Sequence, residues 1–250
     1  MLEPFHFGQK EQLFGIYHPP SQGDIAKAVV ICPPLFDDYR RTYRACAEMA
    51  KALSSKGLHV LRFDYFGTGD SWGELHESNT DVWIKNIHLA IDELVALTGL
   101  PDVTLLGIRF GATLASHCSH PGISQLILWD PIESGENYLS ILSHNDKLKR
   151  LANEKEGYVC KTEAKNMDYS NFILGQELKH SMQSLSFNTE NCSNDHLRLI
   201  STTNNFMTES VAKITNVSFP CSWDDFGRYY GELLMPKPVL IQIIDALCQK

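Results

Sequence analysis

The sequence predicts an α/β protein with an open, mostly parallel sheet, helices on both faces and an inserted, cap-like segment at the sheet's carboxyl edge. Three observations predict it. Short apolar runs alternate with stretches of 3.6-residue apolar period, the pattern of strands joined by crossover helices. One of these runs ends at Leu106 and passes through Gly107 and Gly111 directly into a helical stretch. Between residues 131 and 195 the alternation lapses, and it resumes at His196.

Residues 5–8 and 13–17 flank a polar turn and predict an N-terminal hairpin that stops at Pro19-Pro20. Ala28-Val29-Val30-Ile31-Cys32 is a continuous apolar run, as expected of a strand covered on both faces. Tyr43, Cys46, Ala47, Ala50, Leu53 and Ser54 then form one helical stripe, stopped by Gly57. A strand over 59–63 completes the first strand-helix-strand unit. Val82, Ile84, Ile87, Ala90, Ile91, Leu94 and Val95 support a second helix, with Thr80 as candidate cap and Gly99 and Pro101 behind it. Strands follow over 103–106 and 125–129, with a helix over 112–118 between them. The division expected is a core of 1–130 and 196–250 around an inserted segment of 131–195. Within the insertion, 147–165 is charge-rich, Phe172, Ile173 and Leu174 form an apolar patch, and 176–185 reads as a helix. The core closes with a strand over 196–200, a helix over 205–214, a short strand over 217–219 and a helix over 238–247.

The composition narrows the function classes. With 30 acidic and 22 basic residues the formal charge is −8, which argues against a broad nucleic-acid or anionic-membrane surface while leaving a local basic pocket open. No apolar run near the start approaches the ~20 residues that span a bilayer, and the start lacks the basic-then-apolar pattern of a secretory signal. Seven cysteines without tight spacing, at 32, 46, 118, 160, 192, 221 and 248, read as buried thiols in a reducing compartment, so a cytoplasmic location is expected. There is no G-x-G-x-x-G dinucleotide fingerprint, no P-loop, no H-E-x-x-H and no compact Cys/His cluster, so neither a cofactor nor a metal is expected.

Two stretches look like serine-nucleophile motifs. Gly69-Asp70-Ser71-Trp72-Gly73 matches G-x-S-x-G in letters, but the loop begins several residues after a strand and leads into Glu74-Leu75-His76 rather than a helix. A nucleophile elbow needs strand, tight turn and helix in immediate succession. Ser71 therefore reads as part of a loop that shapes the sheet edge. The required succession occurs at Leu106-Gly107-Ile108-Arg109-Phe110-Gly111-Ala112, whose central residue is Arg109. A guanidinium stays charged at any ordinary pH and is no nucleophile, so an acyl-enzyme step is closed to it. Two roles stand for Arg109: binding a carboxylate or phosphate together with the following helix terminus, or forming an internal ion pair with Asp37, Asp38 or Asp130.

These stretches resemble the α/β-hydrolase superfamily, particularly serine-aminopeptidase-like hydrolases and the exosortase-A-associated hydrolase group. The resemblance rests on Pro33-Pro34-Leu35-Phe36-Asp37-Asp38-Tyr39-Arg40-Arg41, on residues 61–73, on residues 107–115, and on Trp129-Asp130-Pro131 with Gly135 and Tyr138. It implies an α/β-hydrolase fold, with backbone N–H groups near Leu35 or Phe36 and near Phe110 at the oxyanion position. It also implies an acid after the strand at 197–200, where this chain has Ser201-Thr202-Thr203-Asn204-Asn205, and a histidine after the last strand, where it has none. No histidine follows His196.

With all three triad places altered, ordinary Ser-His-Asp hydrolysis is not expected. Four functions remain open. The chain could bind an acyl, ester or peptide-like ligand whose anionic group meets Arg109, with Leu35, Phe36 and Phe110 beside it. It could run non-hydrolytic acid-base chemistry through Asp130, Asp224 or Asp225, or hydrolysis through a relocated nucleophile with His196 as a base. It could instead be a noncatalytic partner in a biosynthetic complex, or associate with itself.

Overall fold

The computed structural model describes residues 2–23, 25–155, 169, 172–188, 196–202, 214–218, 223 and 237–248. The chain opens with an antiparallel pair, β1 (Glu3–Phe7) and β2 (Leu13–His18), in which Phe5 faces Gly15. Beyond it come β3 (Ala28–Cys32), β4 (His59–Phe63), β5 (Val103–Ile108), β6 (Ile123–Trp129), β7 (Leu197–Ser201) and β8 (Ile214–Asn216). All eight lie in one sheet in the order β1-β2-β4-β3-β5-β6-β7-β8. β2 joins β4 antiparallel, and every pairing from β4 to β8 is parallel.

Among the described residues six α-helices accompany the sheet: α1 (Phe36–Ser55), α2 (Thr80–Thr98), α3 (Phe110–Ser116), α4 (Gly135–Lys155), α5 (Gln176–Ser184) and α6 (Lys237–Cys248). Side chains alternate along each strand, which divides the apolar interior in two. Val29, Ile31, Val60, Leu106, Ile127 and Ile200 face α1 and α6, where they meet Met49, Leu53, Val239 and Ile243. Val30, Leu105, Leu128 and Leu199 face the other way, toward Trp83, Ile87, Ile91, Leu114 and, from the stretch between β6 and β7, Leu139, Leu178 and Met182. A sheet covered on both faces explains why β3 and β5 read as uninterrupted apolar runs.

Several boundaries differ from the sequence reading for identifiable reasons. α1 begins at Phe36, one turn or more before the apolar stripe, because Asp37 and Asp38 in its first turn favour a helix start and its fixed N-cap follows Pro33-Pro34. The cap of α2 is Asn79 rather than Thr80, its side chain accepting from Val82 N at 2.9 Å, and Gly99 closes that helix in the left-handed region at φ 72. The charged stretch after residue 135 is the long helix α4, which the weak apolar periodicity there concealed. Ile214 opens β8 instead of ending a helix, and Val217 and Ser218 lie beyond that strand; the rest of the expected helix, and Phe219, fall outside the described residues. Among the described residues no helix is long and apolar enough to cross a membrane.

Candidate functional site

The turn between β5 and α3 has the strained geometry of an elbow. Arg109 adopts φ 53, ψ −122, a conformation that costs a non-glycine residue about 1–3 kcal/mol and persists only where its surroundings enforce it. The ladder enforces it from one side, since Arg109 N donates to Trp129 O at 2.9 Å. The helix enforces it from the other, its carbonyl accepting from Ala112 N at 3.0 Å and Thr113 N at 3.2 Å. Gly111 is required here: a Cβ on it would sit 2.2 Å from Pro33 O, so any side chain would push α3 away from the β3 loop. Phe36 and Asp130 also have positive φ, 55 and 43, so left-handed residues follow three neighbouring strands, β3, β5 and β6.

The Arg109 side chain is buried, 6% exposed, with its Nε 3.2 Å from Asp38 Oδ2. Its guanidinium lies over the Trp223 ring, 4.9 Å from the centroid, a stacking geometry suited to a planar delocalised cation. Trp223 is held in turn by Arg41, whose Nη1 donates to its carbonyl at 2.7 Å. Asp38 also accepts from the Tyr138 hydroxyl at 3.1 Å. Burial and the adjacent carboxylate push the Tyr138 phenol well above its ordinary range, which keeps the proton available for that bond.

The three acids offered as partners of Arg109 separate. Asp38 takes the arginine. Asp37 takes Lys149 of α4 at 2.7 Å and Arg40 at 3.4 Å. Asp130 accepts from Thr202 N at 2.8 Å, from Trp223 Nε1 at 2.6 Å and from the Thr202 hydroxyl. These donors occupy both oxygens of the carboxylate.

The expected ligand walls pack on one another. The Phe110 ring stacks on Tyr138 with centroids 5.6 Å apart, and Phe36 meets Phe172 edge-on at 5.1 Å. Leu35 is buried, and its carbonyl accepts from Tyr39 N at 3.2 Å. Thr113 bridges the elbow to Ile132, donating to its carbonyl at 2.8 Å and accepting from its N–H at 2.9 Å. Tyr138, Lys149, Trp223 and Thr202 are the participants that sequence reasoning did not place at the site. Tyr138 belonged to the resemblance, but nothing in local pattern announces a partner across a hundred residues.

The remaining candidates fall elsewhere. His196 is exposed at the amino end of β7, about 16 Å of strand from the edge that carries Arg109. Asp224 and Asp225 lie outside the described residues. Ser71 is a loop staple: its hydroxyl donates to Asp64 O at 2.6 Å and accepts from Phe14 N at 2.9 Å. Asp64 completes that loop, accepting from Tyr39 Oη at 2.7 Å and Asp70 N at 3.0 Å. Cys32, Cys46 and Cys118 are buried free thiols, and burial pushes Cys32 well up and Cys46 up to about 11, far from a reactive thiolate.

No protein-family model matches the chain, and none of the curated proteins does. Solved structures do match in shape. A proline iminopeptidase from Mycobacterium smegmatis superposes with a TM-score of 0.57 at 12% identity, covering 99% of this chain and 97% of that one. The α/β hydrolase GrgF from Penicillium sp. sh18 gives 0.56 at 14% identity over 80% of each chain. VinJ gives 0.53 at 16% identity, covering 99% of this chain and 98% of that one. The chain has the α/β-hydrolase fold; at these identities the likeness is one of fold, and chemistry must be argued from the site.

Proposed function

We propose that this chain is a hydrolase-like protein that does not use serine-nucleophile chemistry, and that its elbow is a structural clamp rather than a catalytic apex. One observation carries the reading. The elbow residue is a buried arginine paired with Asp38 and stacked on Trp223, where a nucleophile would need a hydroxyl or thiol beside a base. The clamp joins the helix after β3, the turn after β5 and, through Tyr138 and Lys149, the helix after β6. On this reading residues 131–195 are an insertion in a core made of 1–130 and 196–250, its helices α4 and α5 act as a fixed cover, and the protein works by binding. The test is a fluorophosphonate probe applied to the full chain beside an active serine hydrolase. Labelling is expected in the control alone, and stoichiometric labelling of any serine in this protein defeats the reading.

A second reading keeps Arg109 as a receptor for a ligand carboxylate. What favours it is that Asp38 already presents a carboxylate to the guanidinium among the aromatic rings of Phe36, Phe110 and Tyr138. An acidic ligand would take the place of Asp38. In Asp38→Ala, formate or acetate should restore thermal stability in a saturable way that chloride does not match. Equal responses to the three anions would remove this reading and leave the clamp.

A further inference from the structure

A cavity of about 480 Å³ lies away from the elbow, lined by Leu2, His18, Pro19, Lys51, Ser54 and Arg62, with Ala47 and Glu48 among the other contributors. It sits where β2 ends against α1. His18 pairs with Val60 and Ile16 with Arg62 in the β2-β4 ladder, so His18 and Arg62 emerge on the face that α1 covers. Ala47, Glu48, Lys51, Ser54 and Ser55 form one stripe of α1 opposite them. Asp38 and Lys51 are about 20 Å apart along α1, so the two sites lie at opposite ends of the helix.

The wall is built. Ser54 Oγ donates to Pro19 O at 2.6 Å and Ser21 N donates to Ser54 O at 3.1 Å, fixing the end of the hairpin to the helix. Arg62 Nε donates to His18 Nε2 at 3.1 Å. That bond makes Nε2 an acceptor, so the proton of the neutral imidazole resides on Nδ1. The His18 ring is 2% exposed, yet Nδ1 is buried with no hydrogen-bond partner among the described residues, which is a costly state for a donor. Burial, helped by the Arg62 charge, lowers the His18 pKa to about 4, so the ring is a neutral donor at physiological pH. Arg62 forms no ion pair among the described residues; its guanidinium lies 5.7 Å from the Tyr43 ring centroid. Lys51 is exposed on the rim, and Glu48 stands one position outside it on the stripe. Two cations against one carboxylate leave the lining with a single positive charge.

We propose that this cavity binds a small organic oxyanion, its charged group held by Arg62 and Lys51 beside the His18 ring, its apolar body lying on Leu2, Pro19 and Ala47. The volume falls in the range of small-molecule sites, and the single net positive charge matches a monoanion, so a carboxylate is expected ahead of a phosphate monoester. The residues are those of the α1 end of the fold, so the assignment is independent of any role for Arg109.

The experiment titrates the full chain at low ionic strength with benzoate, phenyl phosphate and benzamide, reading the His18 ring nitrogens by NMR and affinity by calorimetry. Benzoate should bind saturably and shift the His18 ring resonances, and benzamide should not. Arg62→Met should weaken benzoate about tenfold or more, as for a lost charge-assisted hydrogen bond. Lys51→Met, on the exposed rim, should weaken it about two- to fivefold without touching the fold, and it carries the comparison if the Arg62 variant does not fold. Tighter binding of phenyl phosphate than of benzoate keeps the oxyanion site and assigns it to phosphate monoesters. No saturable His18 response to either anion, or an equal response to benzamide, overturns the proposal.

Discussion

Replacing Arg109 by methionine tests the clamp directly. The substitution keeps most of the buried stem and removes the charge, so its cost comes from what the guanidinium leaves behind. Asp38 is 4% exposed and loses its cation at 3.2 Å. Breaking one side of a buried pair costs about 3–5 kcal/mol. Two features reduce that: the Tyr138 hydroxyl still donates to Asp38 at 3.1 Å, and Asp38 sits in the first turn of α1 where the helix field favours an anion. Together they offset about 1 kcal/mol, leaving an expected loss of about 2–4 kcal/mol for Arg109→Met. Asp38→Asn with Arg109→Met removes both charges and should recover all but about 1 kcal/mol of it. Urea unfolding of the four proteins at neutral pH, with unchanged m-values, supplies the double-mutant cycle. A loss below about 0.5 kcal/mol in Arg109→Met, or strict additivity in the pair, refutes the assignment of this ion pair as the clamp.

Three further outcomes follow from the geometry. At φ 53, ψ −122, Arg109→Gly should be more stable than Arg109→Ala by about 1 kcal/mol, a reversal of the usual order; urea midpoints showing alanine equal or better would mean that the turn relaxes when the arginine is removed. Arg109→Ser should gain no esterase activity and no fluorophosphonate labelling, because no histidine follows His196 and Asp130 is engaged by Thr202 and Trp223; labelling of the new serine would show a base within reach. For His18 the folded pKa of about 4 lies below the ordinary 6.5, so the unfolded chain binds the proton more readily. The stability due to its neutral form is present above pH 6.5 and is lost as pH falls toward 4, on the order of 3 kcal/mol. His18→Gln should flatten that part of the stability profile relative to the parent, and parallel profiles would show that His18 does not titrate there.

Much of the fold was legible because it rests on local signals. The runs at 28–32 and 103–108 are strands buried on both faces, and Gly107 with Gly111 marks an elbow that only small residues can close. The helix after residue 135 was not legible, since its apolar residues are diluted by charged ones, some pairing within the helix, as Arg150 does with Asp146, and some outside it, as Lys149 does with Asp37. The site was legible in part. The chemistry of Arg109 and a short list of acids could be named from sequence, but selecting Asp38 over Asp37 and Asp130 depends on which side chain each strand end brings into register. Trp223 was beyond reach: a tryptophan near the C-terminus carries no local mark of stacking on a guanidinium. The Nδ1 of His18 was equally silent, because an alternating strand residue looks the same whether its ring is satisfied or not.

The row of left-handed residues at Phe36, Arg109 and Asp130 has a consequence for whatever meets that edge. Arg109 and Asp130 donate their N–H groups to the neighbouring strands at Trp129 O and Ile200 O, and Phe36 is the first residue of α1, so none can relax by a local crankshaft motion without disturbing sheet or helix pairing. The edge therefore behaves as a preset plate rather than as a set of loops. A molecule docking there would meet a surface whose conformational freedom was surrendered during folding, and the ordering penalty that usually opposes association would be small.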